Sequence, residues 1–131
     1  MLSSVARHGA FARFCVVGGI GFVVDSGLTL LLTQGAGWEP LPGRVLAFVV
    51  AVGVTWALNR RFTFRSTQGV STFAPYLVFT GIGAAINVGT YLAWVWLAGN
   101  GALSLLAGVA LGSGVALGFN FLVSRAIFSE A

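Results

Sequence analysis

This sequence has little charge. Only 8% of its 131 residues are charged, while 57% are hydrophobic. A soluble domain carries about 25% charged residues, so this chain cannot cover a water-facing surface of its size. The length fits one domain, residues 1–131, and the composition places that domain in a bilayer. Lysine is missing altogether. The basic residues are Arg7, Arg13, Arg44, Arg60, Arg61, Arg65 and Arg125, and the acids are Asp25, Glu39 and Glu130. Cys15 stands alone, which excludes an intrachain disulfide and a thiolate metal site. His8 is the single histidine, so a His-based metal centre or triad is excluded by count. Nucleophile–base pairs, phosphate loops and paired carboxylates are also missing. The expectation is therefore a protein that is not an enzyme and that needs no cofactor or metal. A pI near 10.7 raises nucleic acid as a partner. The arginines, however, sit at the ends of apolar runs rather than in a polar stripe. Anionic headgroups or lipid-linked anions suit them better.

What the chain does have is long apolar runs. A membrane-spanning helix takes about 20 apolar residues. The first run is Ala12 to Gln34, broken only by Asp25. The Gly- and Pro-rich loop "GAGWEPLPG" follows. The second run, Val45 to Leu58, is short and spans only if Arg60 and Arg61 snorkel and the helix continues toward Phe64. From Ser66 to Ser124 no charge occurs, and "AGNGA" divides that stretch into helices Ala74 to Ala98 and Ala102 to Val123. Period-two alternation is missing, which disfavours strands. The expected fold is an all-α membrane protein with four transmembrane helices. Arg7 and Arg13 precede the first helix, Arg60, Arg61 and Arg65 lie between the second and third, and Arg125 follows the fourth. On the other side Arg44 and Glu39 balance. The positive-inside rule then gives N-in/C-in. A cleavable signal is disfavoured by the length of the first run and by Asp25.

The chain also repeats itself. "FARFCVVGGIGFVVDSG" begins at Phe11 and "FAPYLVFTGIGAAINVG" at Phe73, an offset of 73 − 11 = 62. Gly19/Gly81, Gly21/Gly83 and Gly27/Gly89 match, Phe14 pairs with Tyr76, and Asp25 pairs with Asn87. Arg61 matches Arg125 and Phe64 matches Phe128 at an offset of 64. This predicts two parallel-repeat helical hairpins, about 11–64 and 73–128. Small residues at spacing four form a ridge on the third helix (Gly81, Ala85, Gly89, Ala93) and another on the fourth (Ser104, Gly108, Gly112, Ala116, Asn120). Such ridges let membrane helices approach closely. Four helices leave little room for a polar path, so a homodimer is expected.

Polar residues inside the spans carry the site. Asp25 lies about 18 Å beyond Arg13 along a helix, near the middle of the bilayer core. It is either a polar station on a substrate path or a structural carboxylate bonded to Thr29, Asn87 or a neighbouring hydroxyl. Asn87 stands at the matching depth. Asn120, on the ridge of the fourth helix, suits an interhelical hydrogen bond. Asn59, Arg60 and Arg61 form the densest polar group at one membrane face. Guanidinium forks bind phosphate oxygens, though headgroup contact and topology also use such pairs. Trp56, Phe62 and Phe64 suit one interface, and Trp94 and Trp96 the other. Cys15 reads as inert packing.

Four elements together resemble the GtrA-like family of small four-helix membrane proteins. They are the "RF-x3-GG" start (Arg13, Phe14, Gly18, Gly19), Asp25, the "NRRFTF" end of the second helix, and "FNFLVSRAIF" in the second half. The resemblance covers Phe11 to Phe128. It departs at Phe62, where tryptophan is common, and at Ser124 and Ala126, which replace parts of the double-arginine motif. The resemblance implies flipping of a polyprenyl-phosphate-linked sugar across the cytoplasmic membrane for cell-surface polysaccharide or glycolipid synthesis. With it goes the expectation that Arg60, Arg61 and Arg125 capture the phosphate and that Asp25 and Asn87 meet the sugar hydroxyls, with Asn59, Asn120 and Arg13 as further candidate substrate-binding residues. Partners would be that lipid, membrane lipids and a membrane glycosyltransferase. Two other plans share the layout. One is a small proton-coupled multidrug exporter, which needs an intramembrane acid. The other is a non-transporting accessory subunit of a membrane glycosyltransferase.

Overall fold

The computed structural model describes residues 4–129, with side chains from residue 9 onward. Residues 1–3, 130 and 131 of the single-domain reading, Glu130 among them, lie outside the described residues. Helix α1 runs Ser4–Leu30 and continues in a wider π turn, Leu31–Gly35. Helix α2 runs Pro40–Leu58 and likewise continues in a π turn, Asn59–Thr63. A short 3-10 turn, Val70–Thr72, leads into α3, Phe73–Ala98, and α4 runs Ala102–Phe128. No strand occurs among the described residues. Four helices are long and apolar enough to cross a membrane: Gly9–Gly35, Pro40–Thr63, Val70–Ala98 and Ala102–Phe128. The chain is an all-α, multi-pass membrane protein.

Helix ends differ from the expected ones for local reasons. Helix α1 begins at Ser4, so the segment read as a tail before Ala12 is helical. Helix α2 begins five residues before Val45, inside the expected loop. Pro40 and Pro42 are no obstacle there, because the first turn of a helix has no partner for its N–H groups anyway. Its far end reaches Thr63, as the snorkelling argument required. Helix α4 continues past Val123 to Phe128.

The fold consists of two compact units. The first comprises the chain up to Leu77 together with the segment from Phe128; the second is Val78–Ile127. In the first unit α2 packs along α1 through small residues: Gly43, Ala47 and Ala51 are buried at spacing four. A Cβ on Gly21 would collide with the Thr55 methyl, so α1 and α2 approach closely there. In the second unit the α4 ridge is used. Gly108 faces Tyr91 and Trp94, Gly112 faces the Asn87 carbonyl and Oδ1, and Asn120 presses against Gly83. The α3 ridge is not used this way. A Cβ at Gly81 or Gly89 would meet open space, and Ala85 and Ala93 are exposed. Large apolar side chains instead point outward, Phe22, Trp96 and Leu103 among them. Small residues inside and bulky ones outside is the arrangement expected where lipid is the solvent.

The two helix ends of the first hairpin share one backbone pattern. At the first, Ala36 N–H donates to the Leu31 carbonyl and Trp38 N–H to the Leu32 carbonyl. At the second, Phe64 N–H donates to the Asn59 carbonyl and Ser66 N–H to the Arg60 carbonyl. A left-handed residue lies between the two bonds in each case, Gly37 (φ +74°) and Arg65 (φ +50°). Glycine adopts that region freely, and arginine does not.

Candidate functional site

The end of α2 places Thr55, Asn59 and Thr63 at spacing four, hence on one helix face. Asn59 and Thr63 are buried and Thr55 half-buried, and the polar groups of this face bond to one another. Thr63 Oγ1 donates to Asn59 Oδ1 at 2.7 Å, Asn59 Nδ2 donates to the Tyr76 hydroxyl at 3.0 Å, and the Tyr76 hydroxyl donates to Thr55 Oγ1 at 3.0 Å. Thr55 Oγ1 donates in turn to the Val52 carbonyl. Asn59 is only 2% exposed. Its amide, proposed for substrate contact on sequence grounds, is committed on both sides to holding the helix end. Four rings close over the chain of bonds. Phe14 meets Phe64 at 6.2 Å, Phe64 stacks on Phe128 at 5.6 Å, and Tyr76 meets Phe128 at 5.7 Å between centroids.

Three guanidinium groups stand around this base. Arg13, half-buried on α1, donates from Nη2 to the Thr63 carbonyl at 3.1 Å, while its buried Nε finds no partner. Arg60 lies with its Cζ 5.1 Å above the Trp56 ring and donates from Nη1 to the Gln68 carbonyl at 2.9 Å. Its Nε is also buried without a partner. Trp56 is held for that contact by a bond from Nε1 to Thr72 Oγ1 at 2.9 Å and by an edge-on contact with Phe73. Arg61 is exposed, with its Cζ 6.0 Å from the Phe62 ring. An apolar groove of about 340 Å³ starts at this end. Its walls are Val16, Val17, Ile20 and Leu58, and Arg13 and Phe62 line it too.

The other expected site residues lie elsewhere. Asp25 accepts a bond from Arg44 Nη1 at 2.9 Å. The sequence reading set Arg44 against Glu39 and gave Asp25 to a hydroxyl or an amide. Instead, α2 starts early and lies along α1, so the long Arg44 side chain reaches back to the carboxylate. Thr29 Oγ1, one partner anticipated for Asp25, is buried and unpaired. In the second unit Asn87 packs on Gly112 and Asn120 on Gly83. Asn120 Oδ1 is buried without a partner, so the expected interhelical bond is not made by that atom. Arg125 is exposed, with its Cζ 5.9 Å from the Phe121 ring. Cys15, read as packing, is exposed on α1.

Tyr76, Thr55 and Thr63 were missed. The two threonines could have been found from their spacing around Asn59. Tyr76 had no comparable signal beyond its pairing with Phe14 in the repeat. Among the described residues no group of His, Cys, Asp and Glu could hold a metal ion.

The family description "GtrA/DPMS, transmembrane domain" matches residues 13–128. The chain belongs to this family. The match begins at Arg13 and ends at Phe128, so it encloses both the arginine cluster and the ring cluster beneath it. No solved structure matches the chain.

Proposed function

We propose that this member of the GtrA/DPMS transmembrane family moves a polyprenyl-phosphate-linked sugar across the cytoplasmic membrane, supplying cell-surface polysaccharide or glycolipid synthesis. It does so by binding and carrying, with no bond made or broken. The observation that carries this reading is the juxtaposition at the end of α2. An apolar groove of about 340 Å³ has a guanidinium, that of Arg13, in its wall. Arg60 and Arg61 stand on the adjoining turn. A lipid phosphate needs both parts, a place for the chain and cations for the phosphate oxygens. The positive-inside rule, applied to Arg60, Arg61 and Arg65, supports a cytoplasmic position for this end, where such a lipid is made.

In this reading Arg61, Arg60 and Arg13 receive the phosphate, and Asn59 positions the arginines rather than touching substrate. Asp25 in the first unit, and separately Asn87 and Asn120 in the second, are candidate polar contacts for the sugar. A second copy of the chain would dock on the open α3 ridge of Gly81, Ala85, Gly89 and Ala93, completing the path as a homodimer. A membrane glycosyltransferase would consume the product. The Asp25–Arg44 pair weakens the exporter alternative, since the carboxylate that plan needs is already engaged by a guanidinium.

The test uses purified protein in liposomes with a polyprenyl-phosphate sugar in both leaflets, followed by an impermeant periodate reagent. Wild type should expose the inner pool. Arg61→Gln should slow exposure at least about tenfold, the loss expected for one charge-assisted phosphate contact. If the wild-type protein leaves the inner pool protected, the translocation reading fails and the accessory-subunit role takes its place.

A further inference from the structure

At the other end of the first hairpin an open cleft of about 640 Å³ lies between the end of α1 and the start of α2. Thr29, Thr33, Gln34, Trp38 and Arg44 line it, with Leu41 and Pro40. Arg44 and Arg60 are 16 residues apart, so the cleft stands about 24 Å from the arginine end along the helix. All of its residues belong to one compact unit.

The cleft has the chemistry of a carbohydrate site. Trp38 is 43% exposed and offers a flat, electron-rich face. The weakly positive C–H edges of a pyranose ring stack on such a face. Around it stand two hydroxyls, a primary amide and a guanidinium, which together donate to and accept from neighbouring sugar hydroxyls. Gln34 and Arg44 are the exposed polar groups of this set, whereas Thr29 Oγ1 is buried and Thr33 Oγ1 donates to the Thr29 carbonyl at 2.7 Å. Thr33 and Gln34 are held in place by the π turn, whose wider winding fixes the wall of the cleft.

Charge separates this site from the arginine end. Arg44 is the single basic residue between Arg13 and Arg60, and it already pairs with Asp25 at 2.9 Å. Glu39 stands at the start of α2. One guanidinium against two carboxylates leaves this end without the positive field a phosphate needs, whereas a neutral polyol has no such requirement. We infer that this cleft binds the uncharged sugar headgroup of a glycolipid at the membrane face opposite the arginine cluster. The inference rests on the proposed function for the source of the sugar, but its recognition chemistry does not. In transport terms the cleft receives the sugar once the phosphate has left Arg60 and Arg61.

The test reads binding rather than movement. Protein carrying fluorotryptophan, reconstituted in phosphatidylcholine nanodiscs, is titrated with methyl glucoside, methyl mannoside, methyl galactoside and methyl N-acetylglucosaminide. The Trp38 resonance is assigned with Trp38→Phe. Inorganic phosphate and phosphorylcholine serve as anion and headgroup controls. The expected result is a saturable Trp38 shift in the millimolar range with at least one glycoside and none with phosphate. Gln34→Leu should weaken it about three- to tenfold, the loss of one hydrogen bond. Gln34 is exposed, so its variant tests the site without disturbing packing. Arg61→Gln should leave the shift unchanged. If no glycoside gives a saturable shift, or if phosphorylcholine gives the same one, the carbohydrate site is refuted. Glycoside binding in a protein that fails the liposome assay would instead overturn translocation and leave the cleft standing.

Discussion

Residues 31–38 and 59–66 end their helices with the same backbone and different side chains. Each is a π turn closed by a bond spanning five residues and a second spanning six, with a left-handed residue between them. The first uses Gly37 in that position, and the second uses Arg65. At the first end the polar side chains open onto a cleft. At the second they turn inward as the Thr55–Tyr76–Asn59–Thr63 chain, while Arg61 and Arg65 face out. The backbone device is therefore neutral as to function. What each end does is decided by which face of the last turns carries the polar groups. The arginine in a conformation better suited to glycine suggests that charge at this position matters more than backbone comfort.

The largest effect that would break the comparison is expected at Asn59. Asn59→Leu removes the acceptor of the buried Thr63 hydroxyl and should cost about 1–3 kcal/mol in thermal unfolding of the detergent-solubilised protein. Thr33→Val, at the other end, should cost less than about 1 kcal/mol, since its single bond is half-buried. Equal losses would mean that the Asn59 chain is no more structural than its counterpart.

Next comes the ion pair. Arg44→Gln should destabilise by about 1–3 kcal/mol, between an exposed and a buried pair, because Arg44 is 58% exposed while Asp25 is 19% exposed. The double variant Asp25→Asn with Arg44→Gln should recover most of the loss, and a double-mutant cycle in the same assay reads the coupling. Additive losses would show that the two side chains act independently.

The smallest effect concerns the left-handed residues. Gly37→Ala should lose about 1 kcal/mol, and Arg65→Gly should gain up to about 1 kcal/mol. If Arg65→Gly is more stable yet slower in the liposome assay, the strain at that end is tied to function. If both stability and rate are unchanged, Arg65 is a topology signal only.

The four spans were legible because apolar length is all that a bilayer asks of a helix. Their ends were less so. Pro40 and Pro42 read as loop residues until the first-turn exemption is applied, and only that early start brings Arg44 alongside α1. The ion pair with Asp25 was hidden for the same reason, although Asp25 and Arg44 are the charges nearest each other on the two helices. Arg60 and Arg61 were visible as a cluster, but the face occupied by Asn59 was not. An asparagine beside two arginines resembles a ligand until Thr55 and Thr63 are seen on its own side of the helix. The small ridges were legible as ridges. Which of them would be covered inside the chain depended on bulky neighbours such as Tyr91 and Trp94, which spacing alone does not weigh.

The Asp25–Arg44 pair also bears on how the chain enters the membrane. During synthesis Asp25 emerges 19 residues before Arg44. Until the second helix follows, the first carries a lone carboxylate whose burial costs about 2.5–3.5 kcal/mol. Once α2 arrives, the guanidinium neutralises it from the side. The hairpin, not the single helix, is thus the smallest piece of this protein that rests in lipid with no uncompensated charge at depth.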